Sequence, residues 1–222
     1  MKTLKPKLGL LVVLFLTSCA STVPLNQKFY NSRKVGVIIQ VDSIGTARTG
    51  SQGLLDVALT QGNKYREPLH AIESKVNPTN SLTREISSIL KSKNKQFIVI
   101  TDEIIYKDLP KFTPPEYSDR KYFKKDLNAI KAKYKVDEVL YLNAKYGLLI
   151  SYYGLIEIGR QGYLNISNAI VDLDDNSLLS QNTISSTANI TGKWNDGPAY
   201  DNLKNSIQEA VDKSVNQLKT KF

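Results

Sequence analysis

Hydrophobic periodicity changes once along this chain, and that change limits the folds open to it. Before residue 148, short apolar runs alternate with stretches of helical period. Val35–Val41 (VGVIIQV), Phe97–Thr101 (FIVIT) and Val136–Asn143 (VDEVLYLN) are β-branched or apolar runs of strand length. Between them Leu82, Ile86, Ile89 and Leu90 repeat at i, i+4, i+7 and i+8, which is one face of a helix starting near Pro78. Gly53–Leu59 reads as a short helix. Asp119 is placed to cap a further helix, with Phe123, Leu127, Ile130 and Tyr134 on one face. From Leu148 to Gly192 no helical period occurs. β-prone runs break instead at Gly154, at Gly159–Gly162 and at Asp174–Ser177. Leu203, Ile207, Val211, Val215 and Leu218 then form a terminal amphipathic face.

The order predicts an α/β fold. A mixed sheet starts β-α-β-α-β with parallel strands, is extended by antiparallel hairpins, and is closed by a C-terminal helix. Crossovers of this length favour parallel pairing with right-handed connections.

The first nineteen residues concern targeting. Lys2, Lys5 and Lys7 precede a nine-residue apolar run, Leu8–Leu16. A charged start and a short apolar core describe a secretory signal peptide, and the run is about half of what a span needs. Leu16-Thr17-Ser18-Cys19 follows, and Cys19 is the only cysteine. This segment resembles the bacterial lipobox. The resemblance implies cleavage before Cys19, acylation of its thiol, and therefore a membrane partner through the lipid anchor. Ala20 implies the outer membrane's inner leaflet, facing the periplasm, in a source with two membranes. In a source with one, it implies the outer face of the cytoplasmic membrane. The expected organisation is 1–18 signal peptide, 19–33 lipidated Cys and tether, and 34–222 a single α/β domain.

The lipobox, the early VGVIIQVD strand and the late Ala169–Leu179 hairpin (AIVDLDDNSLL) together resemble periplasmic accessory lipoproteins. These are of the curli-assembly or TolB amino-terminal-like α/β type. That resemblance implies a non-enzymatic accessory or assembly factor that binds another envelope component. The alternatives are an oligomeric structural subunit of an envelope complex, so a homo-oligomer, and a wall or lipid hydrolase.

Composition removes several chemistries. One Cys and one His cannot form a disulfide or a His/Cys zinc site. The formal charge of +9 falls to +6 without the leader lysines. Lys121–Lys135 reads as a solvated helix face rather than a nucleic-acid site. Gly45-Thr-Ala-Arg-Thr-Gly50-Ser51 has the glycine spacing of a phosphate loop but lacks its lysine. Asp172, Asp174 and Asn176 match three calcium-loop positions, but Ser177 and Thr183 replace the required Gly and Glu, so a hairpin turn is expected. His70 has Glu67 and Glu73 three residues away, yet no nucleophile motif accompanies it. No catalytic residue, metal or cofactor is therefore expected. Two long polar segments, Gly45–Gly53 and Lys107–Ser118, read as loops leaving strand ends. Arg48, Phe112 and Tyr117 are their candidate binding residues.

Overall fold

The computed structural model describes residues 22–222 except positions 32, 61, 103 and 105. Cys19 and the leader lie outside the described residues. Among the described residues six strands form one sheet: β1 (Val35–Val41), β2 (Gly45–Ser51), β3 (Phe97–Val99), β4 (Glu138–Tyr153), β5 (Ile156–Asp172) and β6 (Leu178–Asn189). The order is β3-β1-β4-β5-β6, with β2 also on β4. β1 pairs in parallel with β3 and β4, while β4, β5 and β6 form antiparallel hairpins. The predicted mixed sheet is the observed one.

Among the described residues five α-helices surround it: α1 (Leu54–Leu59), α2 (Arg66–Glu73), α3 (Pro78–Ser92), α4 (Asn128–Tyr134) and α5 (Asp201–Leu218). On one face α2, α3 and α5 pack against β4 side chains from Leu140 to Tyr152, giving the larger core. On the other, Phe123, Leu127 and Ile130 cover Val139 and Tyr141 near the start of β4. Among the described residues, the two cores draw on side chains from Leu25 to Phe222. α5 approaches β5 closely at Gly162, where a Cβ would lie 2.4 Å from the Ser206 backbone. There the Ser206 hydroxyl accepts from Gly162 N–H at 2.8 Å and donates to the Ala188 carbonyl at 2.8 Å.

Five expectations are corrected. β5 runs unbroken through Gly159–Gly162, so these residues are not a break between strands. Residues 45–51 are not a loop. They continue the course of β1 as β2, parallel to β4 from Gly147 to Tyr153. Three residues, 42–44, stand opposite two on β4, 145 and 146, so a bulge separates the two segments. Gly147 (φ +138°) permits this, because a Cβ there would meet the Gly45 carbonyl at 2.0 Å. Residues 119–127 are not helical. Phe123 N–H donates to the Asn176 carbonyl, and Asn176 Nδ2 donates to the carbonyls of Phe123 and Lys125. The β5–β6 turn thus takes backbone groups that a helix needs, and α4 begins only at Asn128, whose N–H reaches Asp126 at 2.8 Å. β3 is a three-residue edge strand, half exposed because it pairs only with β1.

The fifth correction concerns the tether. Val23 pairs with Gln181 on β6, and Phe29 is fully buried. From Val23 onward the segment is therefore part of the domain. Lys95, itself buried, donates to the carbonyls of Phe29 (2.5 Å) and Asn31 (3.0 Å) and pairs with buried Glu138 at 3.0 Å. Burial pushes the Glu138 carboxyl up, with Lys95 and Arg33 opposing it.

Beside this pair, Lys28 and Arg33 both bind Asp172, and Arg33 and Lys131 bind Asp174. Burial raises the Asp172 carboxyl, but Lys28, the Asp174 N–H and Arg33 together hold it below the usual range. A depressed folded pKa means that this stabilisation is complete above the unfolded value, about 3.9. It is lost as pH falls through the folded value. Asp172→Asn should therefore melt well below wild type at pH 7, and the gap should narrow between pH 4 and pH 2. Thermal melts across that range check it; a gap of constant size would contradict the assignment.

Candidate functional site

Large apolar side chains left in water mark interaction surfaces when they are contiguous. Such a group lies at the β4–β5 hairpin tip. α1 contributes Leu54 (93 % exposed), Leu55 and Leu59; the hairpin contributes Tyr153, Leu155, Ile156 and Ile158, each more than half exposed. Backbone and side-chain bonds hold the two pieces together. Gly154 N–H donates to the Ser51 carbonyl at 2.7 Å, and Gln52 Nε2 donates to the Gly154 carbonyl at 3.0 Å. None of the α1 side chains is buried, so this helix contributes surface rather than core. We call this group the crown.

A polar collar supports it. Tyr65 donates its hydroxyl proton to Glu157 at 2.5 Å, Lys64 reaches Glu157 at 2.6 Å, and Arg160 pairs with the same carboxylate. Arg160 also lies over the Trp194 ring, 5.0 Å from its centre. Burial raises the Glu157 carboxyl, but the hydrogen bonds from Lys64 and Tyr65 and the charge of Arg160 bring it below the usual value. The collar acid is thus ionised and internally neutralised.

Arg48 belongs to this end of the molecule, in a supporting position. Its guanidinium donates to Thr60 Oγ1 (2.6 Å) and the Thr60 carbonyl (2.9 Å) and lies 5.1 Å from the Tyr152 ring centre. It ties the end of α1 to β2. Phe112 and Tyr117 lie elsewhere. Phe112 stacks on Tyr122, and Tyr122 bridges to Ser177 at the opposite end of the hairpins. Tyr117 is 93 % exposed. The two expected loops do not converge. Register separates Ser177 from the Arg48 level by twelve residues, roughly 40 Å at about 3.3 Å per residue.

His70 is exposed on α2, and its flanking acids face other partners: Glu67 accepts from Tyr200 and Glu73 from Ile44 N–H. The acids of the calcium-like loop are occupied by Lys28, Arg33 and Lys131. Among the described residues, no group of three or more His, Cys, Asp or Glu is placed to hold a metal ion. No helix among them is long and apolar enough to cross a membrane. The crown was missed in the sequence because Leu155-Ile-Glu-Ile158 has the apolar alternation of a core strand. The usable signal was its place directly after Gly154, at the tip rather than the middle of a hairpin.

No family model matches the chain, and no curated protein matches it. Solved structures of similar course include PelC, a dodecamer from Paraburkholderia phytofirmans (9 % identity, 86 % of this chain and 92 % of that one, TM-score 0.27). They also include lipoprotein GNA1162 from Neisseria meningitidis (11 %, 84 % and 99 %, TM-score 0.33). A minor lipoprotein from Acinetobacter baumannii is a third (8 %, 85 % and 93 %, TM-score 0.32). At such scores the likeness carries no argument about function.

Proposed function

We propose that this chain is a bacterial envelope lipoprotein, anchored through Cys19, whose domain is a non-enzymatic binding module. The observation that carries the reading is Leu16-Thr17-Ser18-Cys19 directly behind a charged start and a nine-residue apolar run. The domain agrees with it: from Val23 onward the chain is docked, so the anchor sits only a few residues from a folded body. The binding surface is the crown, an apolar group presented on a rigid collar. The domain acts as an accessory or assembly factor, in the outer membrane's inner leaflet where the cell has two membranes.

The test is Cys19→Ser expressed in the native host. Processing and lipidation should fail together, so the precursor accumulates and no mature lipidated form is found. Fractionation with immunoblotting reads both. A normally processed Cys19→Ser chain that stays with the membrane would overturn the reading.

A further inference from the structure

The crown has a chemistry that selects its partner. We infer that it enters the acyl layer of a lipid bilayer whose surface carries anionic headgroups. The envelope placement proposed above decides only which bilayer it meets; the insertion itself does not depend on Cys19.

Shape and composition favour lipid over protein. The crown is made of a hairpin tip and a one-and-a-half-turn helix, and six of its seven side chains are Leu or Ile. Protein interfaces concentrate their energy in Trp, Tyr and Arg, with Leu under-represented among the dominant contacts. Aliphatic side chains on a projecting tip suit a fluid that closes around them. Peripheral membrane segments combine such a face with Lys and Arg at headgroup level.

Charge is complementary. Arg48, Lys64, Arg66 and Arg160 stand around the collar against three acids, Asp56, Glu157 and Glu67. Each acid is engaged: Asp56 by Gly53 N–H, Glu157 by the collar and Glu67 by Tyr200. Arg48, Lys64 and Arg66 are exposed, and of the three acids only Glu67 is, so cations outnumber acids at the surface that an approaching bilayer meets.

The anchor position is compatible with one geometry. Val23 sits on Gln181, which aligns through Ala169 with Tyr141, twelve residues before Tyr153. That is roughly 40 Å along the strands. The chain from Cys19 to Val23 spans at most about 14 Å. Anchor and crown therefore reach the same leaflet when the strands lie along the membrane plane; with the strands upright the crown faces away from the anchoring membrane.

The test uses the chain from residue 19 with Cys19→Ser, which carries no acyl chain, so its outcome is separate from lipidation of Cys19. The domain is mixed with vesicles of phosphatidylethanolamine and phosphatidylglycerol, or of phosphatidylcholine alone, and floated through a density gradient. Flotation with the anionic vesicles is expected, at least tenfold above that with phosphatidylcholine, and falling at high salt. Leu54→Ser with Ile156→Ser should reduce it at least tenfold while melting within a few degrees of wild type; Leu55→Ser with Leu155→Ser is the substitute pair if the first does not fold. Leu155→Trp in a Trp194→Phe background should be quenched by brominated acyl chains. No flotation with anionic vesicles, or flotation that the crown variants leave intact, overturns the inference. So does the absence of quenching. Crosslinks from Leu155 that reach only a protein partner, or a second copy of the domain, overturn it as well.

Discussion

Lys95→Met is expected to destabilise the domain by about 3–5 kcal/mol, the cost of leaving a buried charge without its partner. Lys95 and Glu138 are both buried and 3.0 Å apart. Once the ammonium is removed, Glu138 keeps only Arg33 Nε at 3.8 Å, and its Oε1 already has no hydrogen-bond partner. The carbonyls of Phe29 and Asn31 lose a donor at the same time, so the docked N-terminal segment loosens with the pair. Two controls separate this account from a general packing defect. Lys95→Met with Glu138→Leu should recover most of the loss, because an apolar pair needs no compensation. The single variant should also regain stability as pH falls. Burial raises the folded Glu138 pKa, so the folded state takes up the proton first, and stability rises as pH drops toward the unfolded value of about 4.3. Urea unfolding at pH 7 and pH 5 checks both points. A single-variant loss under 1 kcal/mol would contradict the assigned role.

Gly147→Val should have the next largest effect, and it should act on the crown. The residue combines φ +138° with a carbonyl 2.0 Å from any Cβ. Backbone strain of about 1–3 kcal/mol adds to overpacking of about 1–3 kcal/mol. The relief available to the chain is to part β2 from β4. β2 carries Arg48 and leads into α1, so parting it removes half of the crown's support. Hydrogen exchange should show loss of protection concentrated at residues 45–60, with β5 and β6 retained. Uniform loss across the sheet, or none, would contradict this division.

Some parts of this architecture are written locally and others are not. α3 and α5 are legible because their buried residues repeat at helical spacing, and Pro78 with Asn77 marks the start of α3. The turn at Asp174–Ser177 is legible because Asp and Asn accept turn geometry, and Asn176 indeed has φ +63°. β2 is not legible. Gly-Thr-Ala-Arg-Thr-Gly-Ser has no apolar alternation, and it is a strand only because β4 outruns β1 and offers it a free edge. The N-terminal half of the expected helix at 119–134 is lost to the same kind of long-range competition, through Asn176. Its apolar face survives nonetheless: Phe123, Leu127 and Ile130 are buried together although only Ile130 is helical. Pattern recorded burial there more faithfully than conformation.

The candidate site divides in the same way. Arg48 lies beside the crown, but as a strut beneath α1 rather than a contact residue. Phe112 stacks on Tyr122 at the far end, where Tyr122 also meets the Ser118 hydroxyl beside exposed Tyr117. The crown depends on how far the β4–β5 hairpin projects beyond the helices, a property of the assembled sheet that no short window contains.

The central claim is the lipid anchor. Intact-mass analysis of the chain extracted from native membranes tests it most directly. The polypeptide should begin at Cys19 and carry the added mass of a diacylglyceryl group, with or without a third acyl chain. A chain still beginning at Met1, or one cleaved elsewhere with an unmodified Cys19, would contradict it.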